Sequence, residues 1–169
     1  MFKRIVVAFD GSKGAEAALR TAADLARVGE AELMILTIYR HHSLLEASFS
    51  MVRPETPENM DDILRAHAQE VAELGKKIAR EAGVAEPRAF IKSGQPARGI
   101  VAFAEEHGAD LIVIGSRGLG SVEGYLLGSV SHKVTGISDI PVLVVRATAR
   151  APRPAARARP PTPRAAGRA

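Results

Sequence analysis

Four short runs of apolar residues stand out in this chain, and none of them alternates with polar residues. They occupy residues 5–9, 33–38, 111–114 and 142–145. Continuous runs of this length, rich in β-branched residues and leucine, are typical of strands that are covered on both faces, as in a parallel sheet. A weaker fifth strand is predicted at residues 88–92.

Segments with helical spacing of apolar residues separate these runs. The first follows Ser12, a candidate N-cap, and carries Ala15, Ala18, Ala22, Leu25 and Ala26 on one face. The second carries the stripe Leu64, Val71, Leu74 and Ile78. Pro96 suits the first turn of a third helix, and residues 129–137 form a short fourth.

Strands that alternate with helices require right-handed crossovers and a parallel sheet. We therefore predict an α/β fold in which a single doubly wound five-stranded sheet of order 3-2-1-4-5 has helices on both faces. The long connection at residues 39–58 contains two prolines and no clear period, and connections of this length are usually either functional lids or poorly ordered loops.

The end of the chain differs sharply from the rest. Residues 147–169 are almost entirely Ala, Pro and Arg, and they include no Leu, Ile, Val or aromatic residue. Such a segment buries too little apolar surface to offset its ordering entropy. We predict a folded domain at residues 1–146 and a disordered basic tail at 147–169. The tail holds six arginines, so the net charge of +4 leaves the domain mildly acidic.

Composition excludes several classes of function. The chain has no cysteine, which rules out disulfides, thiolate metal sites and a cysteine nucleophile. No segment approaches the roughly 20 apolar residues that span a bilayer, and the first apolar run is too short for a secretory signal. We expect a cytoplasmic protein that does not enter membranes.

Two loops follow the first and fourth strands, which are neighbours in the predicted sheet order. Ligands of doubly wound sheets bind at such a point, beyond the carboxyl ends of the strands. One loop begins with Asp10. The other contains Gly115, Gly118 and Gly128. Glycine allows positive φ angles and lets backbone amides approach a ligand with no Cβ atom in the way, and a run of such amides forms an anion nest. The fourth helix then begins at Ser129, and its amides and serine hydroxyls favour phosphate.

The glycine spacing resembles one known family. Gly115, Gly118, Gly128 and Ser129 fit the pattern G-x2-G-x9-G-[ST] of the ATP-binding members of the universal stress protein family, and residues 5–12 are also similar to that family. The resemblance implies that Asp10 lies near the ribose, that Ile38 lies against adenine, and that Ala8 and Ile114 line the same slot. It implies that ribose and phosphates are held by Gly115, Arg117, Gly118, Gly128, Ser129, Val130 and Ser131.

Two of these residues have alternative roles. Asp10 is a candidate ligand for a Mg²⁺ ion that bridges phosphates, or else simply caps the first helix. Arg117 pairs with phosphate or points to solvent.

The sequence is compatible with three functions. The first is a non-enzymatic, ATP-binding stress-response or signalling homodimer that pairs through the edge strand at residues 141–145, as the resemblance implies and as an exposed apolar edge favours. The second is a slow ATPase or phosphotransferase, although no recognisable catalytic motif is present. The third is an interaction protein whose basic tail docks on nucleic acid or other anionic partners, with weak and salt-sensitive attraction.

Overall fold

The computed structural model describes residues 1–40, 57–119 and 127–147, without the side chains of 57–59. Strands and helices alternate through these residues, as predicted. In chain order they are β1 (Arg4–Ala8), α1 (Lys13–Gly29), β2 (Glu32–Tyr39), α2 (Pro57–Glu81), β3 (Arg88–Ser93), α3 (Pro96–Glu106), β4 (Leu111–Gly115), α4 (Ser129–Ile137) and β5 (Val142–Val145).

The strands form one parallel sheet in the order β3-β2-β1-β4-β5. Val7 in the central strand is paired with Ile35 of β2 on one side and Val113 of β4 on the other. The predicted sheet order is confirmed. The winding direction reverses between β1 and β4, which is where a ligand is expected.

Each face of the sheet is covered by a pair of helices. α1 and α2 pack on the face that carries Val7 and Ile35, whereas α3 and α4 pack on the face that carries Val6 and Ile112. Both faces are therefore buried. This burial explains why the strand sequences are continuously apolar rather than alternating.

α1 lies unusually close to β4. Ser12 caps the helix by accepting a hydrogen bond from the amide of Ala15 at 3.1 Å, as predicted. Gly14 in the first turn touches the backbone of Gly115, where a Cβ atom would lie 2.6 Å from the carbonyl carbon of Gly14. The close approach places the start of α1 directly beside the loop that follows β4.

The connection after β2 is shorter than the sequence indicated. Tyr39 belongs to β2, and α2 begins at Pro57, so the predicted bounds of 39–58 are wrong at both ends. Residues 41–56, including most of the candidate lid, lie outside the described residues.

The buried face of α2 also differs from the prediction. Leu74 was expected in the core but is 45% exposed, and the most buried positions include the small residues Ala68, Ala72 and Gly75. The reason is the short distance between the helix and the sheet. A Cβ atom at position 75 would lie only 3.0 Å from the ring of Phe9, so at this turn a small residue faces the sheet, whereas Ile78 one turn later is buried as predicted.

The amino end of the sheet is held by Asp110. Its carboxylate accepts hydrogen bonds from the amide of Lys3 at 2.7 Å and from the amide of Arg4 at 3.1 Å. These bonds fix the entry into β1 against the residue that precedes β4.

The last strand, β5, ends at Val145, next to the predicted boundary at residue 146. Residues 148–169 lie outside the described residues, so the disordered tail stays a prediction. Among the helices of the described segments, none has the length and apolar character needed to cross a membrane.

Candidate functional site

A pocket of about 460 Å³ opens at the carboxyl ends of β1, β2 and β4. Every residue that the sequence singled out for the site lines this pocket. They are Ala8, Asp10, Ile38, Ile114, Gly115, Arg117, Gly118, Gly128, Ser129, Val130 and Ser131. Their contacts with a ligand stay a prediction, but the fold brings them to one place.

Sequence reasoning missed several other lining residues. They are Phe9, Ala15, Leu36, Arg40, Pro96, Ile100 and Leu119. The sequence could have indicated Leu36 and Arg40. They lie two positions before and after Ile38, and such positions share one side of an extended chain. The contribution of α3, through Pro96 and Ile100, had no comparable signal.

One half of the pocket is apolar. Ala8, Leu36, Ile38 and Ile114 come from three neighbouring strands, and Ile100 of α3 lies across from them. Polar side chains are scarce here, so this half suits a flat ring that buries its faces.

Gly99 shapes this half. A Cβ atom on Gly99 would lie 2.7 Å from Cδ1 of Ile38. The absence of a side chain at position 99 therefore leaves the room that the Ile38 side chain occupies.

The other half of the pocket contains the start of α4. Its N-cap residue, Gly128, has no side chain to cap the helix, and the first helical bond runs from the amide of His132 to the Gly128 carbonyl at 3.0 Å. The amides of Ser129, Val130 and Ser131 thus have no partner within the helix. α1 differs because Ser12 caps it. The start of α4 therefore suits an anion.

The entry to α4 is tied to the end of β4. The carbonyl oxygen of Ser116 accepts the amide of Gly128 at 2.6 Å and the hydroxyl of Ser131 at 3.1 Å. The Ser131 hydroxyl also lies 3.0 Å from the Gly128 carbonyl. Since Ser131 is buried and its hydroxyl is directed at carbonyls, its predicted donation to phosphate is not supported. The hydroxyl of Ser129 is exposed.

The glycines of the loop do not use the positive φ angles that glycine allows. Gly128 has a φ of −73°, and neither Gly115 nor Gly118 is among the positive-φ glycines of the described residues. What they provide is space, because a Cβ atom on Gly118 would lie 2.6 Å from Oδ2 of Asp10.

Asp10 contacts the backbone of both loops. Its Oδ1 atom accepts the amide of Ser12 at 3.0 Å, and its Oδ2 atom accepts the amide of Leu119 at 3.3 Å. The half-buried carboxylate thus joins the end of β1 to the loop after β4. Arg117, also half-buried, lines the same pocket.

The donors present do not form a magnesium site of their own. Asp10 is the single carboxylate among the residues that line the pocket, and both of its oxygens accept backbone amides. In the described segments, no three His, Cys, Asp or Glu side chains come together to hold a metal. Mg²⁺ requires near-octahedral oxygen ligation, so a magnesium ion here would depend on oxygens that the ligand brings.

Comparison with known proteins identifies the family. The family model described as "Universal stress protein family" matches residues 1–146. The chain is 38% identical to universal stress protein YxiE of Bacillus subtilis over 150 residues, which cover 86% of this chain and 100% of that protein. The fold defines a doubly wound α/β class of protein with a pocket at the carboxyl ends of its strands. The chain is a member of the universal stress protein family.

Two solved structures are similar over nearly their whole length. A universal stress protein in complex with cAMP is 28% identical, with a TM-score of 0.67 and coverage of 87% of this chain and 99% of its own. A universal stress protein of Archaeoglobus fulgidus in complex with dAMP is also 28% identical, with a TM-score of 0.61 and coverage of 84% and 96%. Both of those relatives are described with an adenine nucleotide.

Proposed function

We propose that this protein is an adenine-nucleotide-binding stress protein and that ATP is its ligand. The observation that carries the proposal is the start of α4, whose first amides lack a side-chain cap and line the same pocket as an apolar slot. A phosphate chain at one end and a base at the other match these two halves.

The relatives support adenine as the base. Similar proteins are described in complex with cAMP and with dAMP. ATP, rather than a monophosphate, is proposed because the polar half is lined by two separate described stretches, one at residues 115–118 and one at residues 128–131, which together offer groups for more than one phosphate. The accompanying Mg²⁺ is proposed to be held by the phosphate oxygens.

Calorimetric titration of the full chain with ATP and MgCl₂ tests the proposal. We expect saturable heat with one nucleotide per chain. The absence of heat at millimolar ATP, with folded protein, would contradict it.

A proline substitution tests the role of one backbone amide in phosphate binding. Ser129→Pro deletes the first amide of α4 at a position where proline fits a helix, and Gly128 already has the extended conformation that a following proline requires. We expect about tenfold weaker ATP binding, because a hydrogen bond to a charged group is lost. Ser129→Ala is the matched control, since it removes the hydroxyl and keeps the amide.

We also propose that nucleotide is bound without turnover. Among the described residues that line the pocket, Asp10 is the one carboxylate, and each of its oxygens accepts a backbone amide. We therefore propose that it does not act as a general base for water. Phosphate release in the presence of ATP should not exceed the buffer rate. Phosphate release above the buffer rate, lost in a variant whose ATP binding is weakened such as Ser129→Pro, would favour a slow ATPase instead.

A homodimer through β5 is the proposed assembly. β5 pairs with β4 on one side, and Leu143 of β5 and Ile137 of α4 are 36% and 51% exposed. Edge strands with exposed apolar residues favour pairing with another chain. Light scattering after size exclusion should give a dimer for the natural chain and a monomer for Leu143→Glu. Val28→Glu, an exposed apolar position on α1, should remain dimeric.

A further inference from the structure

We propose that a second pocket, at the β3 edge of the sheet, binds the phosphate group of a small phosphate monoester. This edge groove has a volume of about 400 Å³ and is lined by Tyr39, Arg65, Gln69, Ile91, Lys92 and Ser93. A volume of this size suits a small-molecule ligand. The proposal goes beyond the proposed function, because it concerns a different pocket and a different ligand.

The edge groove is separate from the pocket at the carboxyl ends of β1, β2 and β4. No described residue lines both of them. Ile38 and Tyr39 are neighbours on β2, so their side chains point to opposite faces of the sheet. Ile38 borders the first pocket and Tyr39 borders the edge groove. The groove is therefore not an extension of the slot proposed for the base.

α2 supplies the charge of the edge groove. Arg65 and Gln69 are one turn apart on this helix and lie on the same side of it. Arg65 is exposed, and within the described part of the chain it forms no ion pair. Its planar guanidinium offers N–H donors in a fork that matches two oxygens of a phosphate.

The charge of Lys92 is directed elsewhere. Its ammonium lies 2.8 Å from Oε2 of Glu106 and 5.6 Å from the ring centre of Phe103, and both of those residues belong to α3. α3 packs on the opposite face of the sheet from α2. Since no carboxylate is among the described residues that line the groove, the charge that faces a ligand there is that of Arg65.

β3 supplies backbone donors. The amide of Gly94 donates to the carbonyl of Tyr39 at 2.9 Å, and successive amides of a strand point to alternate sides. The amide of Ser93 therefore points away from β2, to the open edge of the sheet, because β3 is the last strand. Exposed amides at a sheet edge form a concavity that binds anions, and the exposed hydroxyl of Ser93 adds a further donor.

The organic part of the ligand has a surface of its own. Tyr39 is paired with Ser93 in the sheet register, so these two side chains lie on the same face. Tyr39 and Ile91 are half-buried and line the groove beside the polar groups. An apolar or aromatic group attached to the phosphate packs on the tyrosine ring. The groove therefore fits a phosphate monoester better than a bare inorganic anion.

Amide NMR titration of the full chain with phenyl phosphate tests the proposal, with sodium chloride adjusted to keep the ionic strength constant. We expect saturable shifts at the backbone amide of Ser93 and at the side-chain amide of Gln69. Inorganic phosphate should shift the same amides with weaker affinity, because it has no ring to pack on Tyr39.

Arg65→Gln removes the charge from an exposed helical position and should weaken phenyl phosphate binding about tenfold, since a charged hydrogen bond is lost. Arg80→Gln is the matched control. Arg80 is also exposed, about 22 Å further along α2, so this variant loses the same charge and should bind phenyl phosphate as the natural chain does. Ser129→Pro, which alters the first pocket, should leave the shifts at Ser93 unchanged.

Three results would overturn the inference. One is a shift at Ser93 that does not saturate, or that sodium chloride alone reproduces. Another is equal affinity of Arg65→Gln and Arg80→Gln for phenyl phosphate. The third is a set of shifts confined to residues 128–131, which would assign the phosphate to the first pocket and support the proposed function instead. If ATP fails to bind the first pocket while phenyl phosphate shifts Ser93 as expected, the proposed function fails and the edge groove stands.

Discussion

The hydroxyl of Ser131 donates a hydrogen bond to the carbonyl oxygen of Ser116, 3.1 Å away, and so joins the first turn of α4 to the end of β4. Ser131→Ala removes this bond from a residue that is only 2% exposed. We expect the free energy of unfolding to fall by about 1 kcal/mol, measured by urea denaturation. Ser129→Ala changes an exposed serine in the same turn and should leave stability unaltered. Equal stability of the two variants would contradict this role for Ser131.

Gly99 controls the width of the apolar slot. Gly99→Ala places a Cβ atom 2.7 Å from Cδ1 of Ile38, and this flexible methyl end is expected to move into the space proposed for the base. ATP affinity should fall about fivefold or more, since a single methylene in an apolar pocket discriminates at this level. Calorimetry with ATP measures the effect.

The same prediction has an internal control. Ile38→Val removes Cδ1, so the double variant Gly99→Ala, Ile38→Val should recover most of the affinity that Gly99→Ala loses. Inorganic triphosphate, which occupies only the polar half, should bind Gly99→Ala as it binds the natural chain. Additive losses in the double variant would argue against contact between the two positions.

Gly115 is required for packing of α1 on β4. A Cβ atom on Gly115 would overlap the backbone of Gly14, at 2.6 Å from the carbonyl carbon and 2.7 Å from the oxygen. Because backbone atoms cannot turn aside, Gly115→Ala should destabilise the fold by about 1–3 kcal/mol, measured by thermal or urea unfolding. A fully stable Gly115→Ala would show that α1 and β4 separate easily.

Gly136→Ala is the comparison for that variant. Gly136 lies in α4, and a Cβ atom there meets nothing within 4 Å. Alanine at an exposed helical position should raise stability, by up to about 1 kcal/mol. The two glycines should therefore respond to the same substitution with opposite signs.

An ion pair with Lys92 lowers the pKa of Glu106 below its ordinary value of 4.5. The ammonium of Lys92 lies 2.8 Å from Oε2 of Glu106 and donates a hydrogen bond to it. The stabilisation from this pair is present above the ordinary pKa and is lost as the pH falls through the lowered one. Lys92→Met should raise the pKa of Glu106 toward 4.5, observed by carbon NMR titration of the carboxyl group.

Lys76→Met provides the control for this titration. Lys76 forms a separate pair with Glu73 at 2.9 Å on α2, so its removal should leave Glu106 unchanged. A Glu106 that titrates at its ordinary value in the natural chain would show that the pair with Lys92 does not form in solution.

Local sequence signals account for most of the fold. The continuous apolar runs predicted buried parallel strands, and Ser12 and Pro96 predicted the starts of α1 and α3. These features are local, because they depend on hydrophobic period and on the chemistry of one or two helix-terminal residues. The glycine spacing, and the family resemblance that it carries, predicted the site residues, and the fold brings them to one pocket.

The structural features that the sequence did not predict depend on distances between helices, strands and loops that are far apart in the chain. The helical spacing of Leu74 predicts a core position, but Gly75 lies so near Phe9 that this turn of α2 presents a small residue to the sheet and leaves Leu74 exposed. Gly118 is predicted to make room for a ligand, whereas the room that it leaves is taken by the carboxylate of Asp10, a residue far away in sequence. The bond between Asp10 and Leu119 has no local signal at all.

The clamp that Asp110 places on the amides of Lys3 and Arg4 has a practical consequence for biosensor work. It fixes the first strand at the amino end of the sheet, on the side opposite the pocket. A fluorophore or surface linkage attached ahead of Met1 therefore leaves ligand access open. β5 ends at Val145, whose carbonyl accepts the amide of Ser116 between the pocket-lining residues Gly115 and Arg117, so a label attached at Val145 would crowd the entrance.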